Sequence, residues 1–191
     1  YHHLRDLLAP LPMPVHITLG NHDDRAAFLS VFGTDRDDPQ GRVSEVIDAG
    51  GHRIILLDTT EPGLVGGRLC QGRLDWLQAR LDEARDRPVI VAQHHHANPL
   101  SLPVDEIILE NAEDYLAVLQ RHPEVRQVIA GHVHLPSVAV WRGIPDHCIF
   151  IRKFHIESNG DILVQYETPV SSPNGCGRAK CSRSVAATGS I

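Results

Sequence analysis

The stretch that decides the fold is Val125-Arg126-Gln127-Val128-Ile129-Ala130-Gly131-His132-Val133-His134. Its first six residues form an apolar-rich run of strand length, and Gly131 allows the tight backbone with which the chain leaves that strand. In an extended segment, side chains two residues apart point to the same face. We therefore expect His132 and His134 to converge on one point while Val133 turns away.

Two other predicted strands end on the same kinds of residue. Residues 13–19 lead into Gly20-Asn21-His22-Asp23, and residues 88–93 lead into His94-His95-His96. In open α/β sheets, binding sites lie outside the carboxyl ends of the strands. A lone histidine pair is more often a surface or core feature. In contrast to a lone pair, three apolar runs that each end at Asn or His predict one shared metal pocket.

Composition places the chain among ordinary globular proteins. Its 191 residues, 42% hydrophobic and 22% charged, suffice for one domain with a real core. The formal net charge of -6 argues against a large nucleic-acid interface. No apolar run approaches the ~18 residues of a membrane span, and four cysteines do not form a disulfide scaffold. We expect a cytoplasmic protein that binds neither a nucleic-acid polymer nor a membrane.

The remaining patterns predict alternating strands and helices. Helices are expected over residues 1–9, 24–32, 73–85 and 112–121. A hairpin is expected over residues 43–47 and 53–57, around Gly50-Gly51. Further antiparallel strands are expected over residues 137–141, 147–151 and 161–166. Strand, helix and strand in alternation predict a layered α/β fold, with one domain over residues 1–167 and a disordered tail over residues 168–191.

The candidate ligands suit a transition metal. Neutral imidazole and amide oxygen bind Fe, Mn or Zn, and two such ions ~3.5–4 Å apart can hold a hydroxide and clamp a phosphoryl group. A metal pair also needs carboxylates. Asp58, which ends a predicted strand, is the candidate in this chain, although a carboxylate there more often caps the Thr59-Thr60 turn. Cys176 and Cys181 lack the second ligand pair of a zinc site.

The motifs also carry a family resemblance. Gly20-Asn21-His22-Asp23, His94-His95 and Gly131-His132-Val133-His134 resemble, in order and spacing, the later motifs of calcineurin-like metallophosphoesterases. The stretch Leu57-Asp58-Thr59-Thr60 and residues 67–81 look like the bacterial class III cyclic-nucleotide phosphodiesterase branch. The resemblance covers about residues 1–143. It implies a layered α-β-β-α sandwich with mixed sheets, two divalent metal ions (Fe, Mn or Zn), and a metal-bridging hydroxide that hydrolyses phosphodiesters, above all 3',5'-cyclic AMP.

The same resemblance assigns metal ligands. It implies that Asn21, His94, His132 and His134 bind metal, with His132 and His134 on different ions. His94 is selected because the family has a strand followed directly by a histidine. On physical grounds His96 lies on the same side as His94 if the segment stays extended, so the choice among His94, His95 and His96 remains open.

The resemblance assigns two catalytic residues as well. It implies that His22 lies beside the leaving-group oxygen as proton donor or charge stabiliser, and that Asp23 orients the His22 ring. The substrate implied is a small phosphoester, and a homodimer is allowed.

The sequence departs from the family at its start. The family opens with an Asp-x-His strand and a Gly-Asp motif whose aspartate bridges the metals, and neither motif occurs in these 191 residues. We therefore expect an N-terminally incomplete domain. The alternatives are another phosphodiesterase or a phosphomonoesterase of the superfamily, or an inactive truncated remnant.

Overall fold

A six-stranded mixed sheet is the centre of the described structure, a computed structural model. It describes residues 1–33 and 38–148, and the backbone of three further strands. The helices are α1 (His2–Leu8), α2 (Arg25–Phe32), α3 (Gln71–Asp82) and α4 (Ala112–Leu119), with a 3-10 turn at Pro103–Ile107. The strands are β1 (Glu45–Ala49), β2 (His52–Leu57), β3 (Val89–Gln93), β4 (Val125–Ala130), β5 (Ser137–Trp141), β6 (Ile144–Cys148), β7 (Arg152–Ile156), β8 (Ile162–Tyr166) and β9 (Ser184–Ala186).

The strand order of the main sheet is β1-β2-β3-β4-β6-β5. The four inner strands run parallel, and β1 and β5 are antiparallel to their neighbours. Leu57 pairs with Gln93 and Gln93 with Ala130, so β2, β3 and β4 end level with one another. The residues that follow these strands therefore emerge at one edge of the sheet. Strands β7, β8 and β9 form a separate antiparallel sheet.

The main core lies between the sheet and helices α3 and α4. Leu77 and Leu81 of α3 are fully buried, and the core they join includes Val91 of β3 and Leu119 of α4. Burying each such aliphatic side chain contributes roughly 1.5–3 kcal/mol. Strand β3 is buried along nearly its whole length, which suits its run of β-branched residues at the centre of a parallel sheet. The four predicted helices are confirmed, with ends shifted by a few residues.

The first predicted strand is wrong. Residues 14–20 have no regular secondary structure and form no strand with any described segment. Thr18 Oγ1 donates to the Val43 carbonyl oxygen at 3.1 Å, and His16 Nδ1 lies 2.7 Å from Glu45 Oε1. Side-chain bonds thus hold this segment instead of a backbone ladder. The apolar run over residues 13–19 indicates β propensity, whereas a strand also requires a partner for its backbone groups.

Both hairpins of the main sheet use two-residue turns with positive φ. Gly50 and Gly51 (φ 58° and 77°) join β1 to β2, which confirms that prediction. Arg142 and Gly143 (φ 46° and 92°) join β5 to β6. Positive φ at both central residues is typical of a type I′ turn, which glycine and asparagine favour and arginine does not. The strand predicted over residues 147–151 was therefore placed too late, because β6 already begins at Ile144.

The rest of the chain after Cys148 is described only as strands β7, β8 and β9. Strand β8 falls within the strand predicted over residues 161–166. The turn predicted at Asn159-Gly160 lies outside the described residues. So does the tail predicted over residues 168–191, apart from Ser184–Ala186, which pairs with β8.

Candidate metal centre

Three polar side chains meet at the level ends of the parallel strands. His94 follows β3, His132 follows β4, and Asn21 lies in the turn before α2. His94 Nε2 lies 2.9 Å from Asn21 Oδ1 and 3.0 Å from His132 Nδ1. One ring nitrogen carries either one proton or one lone pair, so it cannot satisfy both neighbours well by hydrogen bonding alone.

These distances suit ligands of a single ion. Donor atoms held ~2.1 Å from an ion lie roughly 3.0–3.4 Å apart in octahedral and tetrahedral shells. The atoms of His94, Asn21 and His132 are spaced at the lower end of that range. Two imidazoles and an amide oxygen form a donor set for Zn, Mn or Fe. The described side chains therefore fit a divalent metal at this junction.

A glycine makes room for the His94 ring. A Cβ atom on Gly20 would lie 2.7 Å from His94 Cε1, closer than real Cβ contacts. On the other side, the Gly131 amide donates to the His94 carbonyl oxygen at 2.9 Å and ties the ends of β3 and β4 together. The His94 and His132 rings meet edge-on, with centroids 4.8 Å apart. Backbone and packing thus fix His94 before any ion binds.

The segment after β4 is turned and not extended. His132 and His134 have φ values of 67° and 54°, and the Val133 amide donates to the Gly131 carbonyl oxygen at 2.8 Å across His132. Such a three-residue turn with positive φ is rare and strained. We expected strand alternation to aim both histidines at one point, and this reason is wrong because the segment is not a strand. His132 reaches His94 through the turn, while His134 stays largely exposed.

Burial keeps the central histidines neutral. Burial, and then repulsion from His132, lowers the pKa of His94 to about 4, although the Asp23 carboxylate acts in the opposite direction. The pKa of His132 is also lowered, first by burial and then by the neighbouring histidines His96 and His134. Neutral imidazoles keep a lone pair free for a metal at pH 7. His134 is close enough to affect the pKa values of both His94 and His132.

His95 belongs to the cluster but has a different role. Nitrogen atoms of His94, His95 and His132 lie within 4.8 Å of one another. However, His95 Nε2 lies 3.1 Å from the Val65 carbonyl oxygen, which only accepts, so Nε2 carries the proton. Nδ1 then accepts from Thr59 Oγ1 at 2.7 Å. Both nitrogens are therefore occupied, and His95 packs behind the ligands as a neutral ring.

His96 turns away from the cluster. Its side chain is fully buried and Nε2 lies 3.2 Å from Asp105 Oδ1 in the 3-10 turn. Of the three consecutive histidines, only His94 brings a ring nitrogen to both Asn21 and His132. His96 was an alternative ligand only if residues 94–96 stayed extended, and they do not.

Among the described residues, the Asp23 carboxylate bonds to Tyr1 and Gly20, and no hydrogen bond joins it to His22. Its Oδ1 accepts from the Tyr1 hydroxyl and its Oδ2 from the Gly20 amide, both at 2.8 Å. The Asp23 amide also donates to the Gly20 carbonyl oxygen. Asp23 thus closes the turn that holds Asn21, and His22 stands exposed beside it. The described contacts of Asp23 therefore support the turn around Asn21, and the orienting role expected for it beside His22 stays a prediction.

Asp58 is not a ligand, because all its acceptor capacity is used. Arg25 donates to both carboxylate oxygens, at 2.9 and 3.2 Å. The Val43 amide and the amide and hydroxyl of Thr60 supply three further bonds. Burial raises the Asp58 pKa, but the bonds from Arg25 and Thr60 outweigh it and hold the pKa below its usual value. The turn-capping expectation is confirmed. The ion pair with Arg25 had no signal in the sequence.

A cavity opens directly beside Asn21. It encloses about 610 Å³ between the start of α2 and the loop after β2. Its lining is Asn21, His22, Asp23, Asp24, Arg25, Ala26, Leu29, Thr60, Glu61, Pro62 and Gly63. A substrate group bound next to the metal ligands could extend into this space.

Together, the sheet and the junction define an α/β protein with a candidate divalent-metal site at the strand ends. The family model of the calcineurin-like phosphoesterases matches residues 1–136. The chain belongs to this phosphoesterase family. In the part of the chain that the structure covers, no helix has the length and apolarity that crossing a bilayer requires.

The chain is similar to several hydrolases. It is 34% identical over 136 residues to a 3',5'-cyclic adenosine monophosphate phosphodiesterase of Pseudomonas aeruginosa (70% of this chain, 48% of that protein). It is 36% identical over 151 residues to a probable cyclic nucleotide phosphodiesterase of Rhodopseudomonas palustris (77% and 55%). It is 32% identical over 150 residues to a glycerophosphodiester phosphodiesterase of Enterobacter lignolyticus (74% and 52%). The chain thus spans about half the length of these relatives.

A solved structure supports the fold. A dimetal phosphatase from Danio rerio superposes with a TM-score of 0.61 at 18% identity, over 80% of this chain and 65% of that one. The predicted mixed α/β metallophosphoesterase fold is therefore confirmed.

Proposed function

We propose that the complete gene product is a metal-dependent phosphodiesterase that hydrolyses cyclic nucleotides, above all 3',5'-cyclic AMP. The observation that carries the proposal is the junction at His94, where Asn21 and His132 lie 2.9 and 3.0 Å from one ring nitrogen. The cyclic-nucleotide phosphodiesterases among the relatives support the substrate class.

The described residues would hold one ion directly. Asn21, His94 and His132 supply neutral ligands, and His134 stands beside them for a second ion. When bound, divalent ions stabilise charge on the phosphoryl oxygens and supply a nucleophile from water at neutral pH. Asp23 and Asp58 are already engaged in hydrogen bonds. Neither of these two carboxylates is therefore free to join a pair of ions. Fe, Mn and Zn all suit the ligand set.

His22 is placed to act on the leaving group. It follows the ligand Asn21 and lies in the wall of the cavity, exposed to whatever binds there. An imidazole beside the leaving-group oxygen can donate a proton as it departs, a contribution of typically 10²–10⁴-fold. The orienting role of Asp23 beside His22 stays a prediction, since its described bonds are to Tyr1 and Gly20.

A second candidate is hydrolysis of other phosphodiesters, such as glycerophosphodiesters. The relative from Enterobacter lignolyticus supports it at 32% identity. Phosphomonoester hydrolysis and an inactive remnant are the remaining alternatives. A homodimer and a cytoplasmic location stay predictions.

The test uses the complete gene product with Mn²⁺. We expect release of 5'-AMP from 3',5'-cyclic AMP, hydrolysis of bis-p-nitrophenyl phosphate, and loss of both in His94→Ala. The control is His3→Ala, which removes an exposed histidine of α1 that is distant from His94 in the sequence. Hydrolysis of a glycerophosphodiester with no turnover of cyclic AMP would support the second candidate. Full activity of His94→Ala would refute the site.

A further inference from the structure

The cavity beside Asn21 has an acidic wall. Asp23, Asp24 and Glu61 line it, and the basic residues in the lining are His22 and Arg25. The Arg25 guanidinium is bound to the buried Asp58 carboxylate at 2.9 Å, so its charge is already balanced. Three carboxylates at short range repel a phosphate. The phosphoryl group therefore belongs at the metal ligands, and the cavity suits the uncharged part of a substrate.

One of these carboxylates is bound by a buried arginine. Arg73 is completely buried and donates through one amino group to Glu61 Oε2 at 2.5 Å. Its other amino group donates to the carbonyl oxygens of Thr60 and Asp58, at 2.9 and 3.2 Å. Glu61 Oε1 makes no hydrogen bond within the described ranges. The carboxylate thus has one oxygen bound by Arg73 and a second oxygen that can accept from a hydroxyl or amino donor on a ligand.

The remaining wall is apolar and the space is large. Ala26 and Leu29 of α2 and Pro62 of the facing loop contribute carbon surface. The volume of about 610 Å³ falls within the roughly 300–1,000 Å³ of small-molecule sites. A flat heterocycle with an attached sugar would use both the carbon surface and the acceptor. A glycerol group would leave most of the volume empty.

We propose that this cavity binds the nucleoside part of the substrate, and that Glu61 is a specificity-determining residue which accepts a hydrogen bond from a sugar hydroxyl or a base amino group. The proposal rests on the proposed phosphodiesterase function for the phosphate half of the substrate. It adds where the nucleoside part of the substrate binds and which residue recognises it.

The experiment is built on Glu61→Gln in the complete gene product. The glutamine oxygen can still accept from Arg73, which leaves an NH₂ group in place of the vacant acceptor. We expect the ratio of kcat/KM for cyclic AMP to that for bis-p-nitrophenyl phosphate to fall about tenfold to a hundredfold, as for loss of a hydrogen bond to a charged group. Most of the change should be in KM for cyclic AMP. The matched control is Glu113→Gln. Glu113 is an exposed residue of α4, and its carboxylate pairs with Arg142.

A second variant avoids Arg73. Ala26→Trp places an indole in the cavity from an exposed position of α2 and leaves the core untouched. We expect it to lower the same ratio and to raise the Kd of adenosine, measured by NMR titration of the metal-free protein. Adenosine binding also separates the two proposals, because it requires no catalysis. If neither phosphoester is hydrolysed, adenosine binding that weakens in both variants still supports this inference.

Three results would overturn the inference. The ratio could stay unchanged in both variants, or adenosine could fail to bind the unmodified protein. Alternatively, Glu61→Gln could lower kcat/KM for a choline phosphodiester, relative to bis-p-nitrophenyl phosphate, more than it lowers kcat/KM for cyclic AMP. That result would mean that the acidic cavity selects a cationic alcohol.

Discussion

His94 Nε2 lies 3.0 Å from His132 Nδ1, although the two residues are 38 positions apart in the chain. The contact follows from sheet register, because Gln93 and Ala130 are paired neighbours at the ends of β3 and β4. Asn21 joins the same nitrogen from a loop that belongs to no strand. The candidate metal site is therefore set by two strand ends and one turn.

Replacing His94 should abolish tight metal binding. His94→Ala removes the ring that touches both other ligands, so we expect a loss of Mn²⁺ affinity beyond the roughly tenfold to hundredfold typical of supporting residues. Isothermal titration calorimetry on the 191-residue chain measures it. His96→Ala is the comparison, since His96 bonds to Asp105 instead. Equal losses in the two variants would mean that His94 has no special part in binding.

His22 should affect turnover and not metal content. We expect His22→Ala in the complete gene product to lower kcat by about 10²–10⁴ if the imidazole protonates the leaving group. Elemental analysis should find the metal content unchanged. A variant that loses metal would show that His22 is a ligand, and a variant with normal kcat would exclude the proton-donor role.

The folded chain should lose stability as pH falls from about 6.5 towards 4. Burial lowers the pKa of His94 to about 4 and that of His95 to about 3 from an ordinary 6.5. Between these limits the unfolded chain takes up protons that the folded chain excludes, so stability rises with pH there. Burial of Asp146 raises its pKa to about 6 and gives an opposing slope, so a single-variant comparison is needed.

His95→Asn isolates one histidine in that pH dependence. We expect the urea-unfolding free energy of the metal-free variant to depend less steeply on pH than that of the unmodified chain, by at most about 1.4 kcal/mol per pH unit. His3→Ala, on the exposed surface of α1, should leave the slope as it is. An unchanged slope in His95→Asn would mean that the His95 ring is not kept neutral by the fold.

The general plan of the fold was accessible from the sequence because apolar runs end on polar side chains. The strands before His94 and His132 were predicted correctly, and register then brings their ends together. The strand over residues 13–19 was wrong because β propensity does not supply a pairing partner. The turn at Arg142 escaped prediction because arginine is unusual at positive φ.

The site was harder to predict at the level of single atoms. Which of three consecutive histidines meets Asn21 depends on the local turn and on where Thr59, Val65 and Asp105 lie. The bond between Arg25 and Asp58 joins residues 33 apart, and no spacing rule reports it. The positive φ values of His132 and His134 are likewise set by the fold around them, since residues other than glycine adopt positive φ in only a few per cent of cases.

The buried pair of Arg25 and Asp58 should be a main support of the site wall. Asp58→Asn leaves Arg25 without its counter-charge, so we expect a loss of about 3–5 kcal/mol in unfolding free energy, as for one partner of a buried ion pair. Urea denaturation monitored by circular dichroism measures it. Asp86→Asn, in an exposed pair with Arg87, is the control and should change the unfolding free energy only slightly, because water screens an exposed ion pair. Similar losses would mean that the pair contributes no more than a surface contact.

The 191-residue chain should bind one divalent ion tightly and not two. The ligands at the junction are neutral side chains, and the carboxylates of Asp23 and Asp58 are occupied by hydrogen bonds. Two divalent ions would place about four positive charges together, and their repulsion at ~4 Å amounts to several kcal/mol even at an effective dielectric of ~20. Calorimetric titration with Mn²⁺ should therefore show one equivalent. Bis-p-nitrophenyl phosphate hydrolysis by this chain should be weak beside that of the complete gene product. Two tight equivalents with full activity would mean that a carboxylate within these 191 residues leaves its hydrogen bonds to complete the site, and Asp23 beside His94 is the first to test by Asp23→Asn.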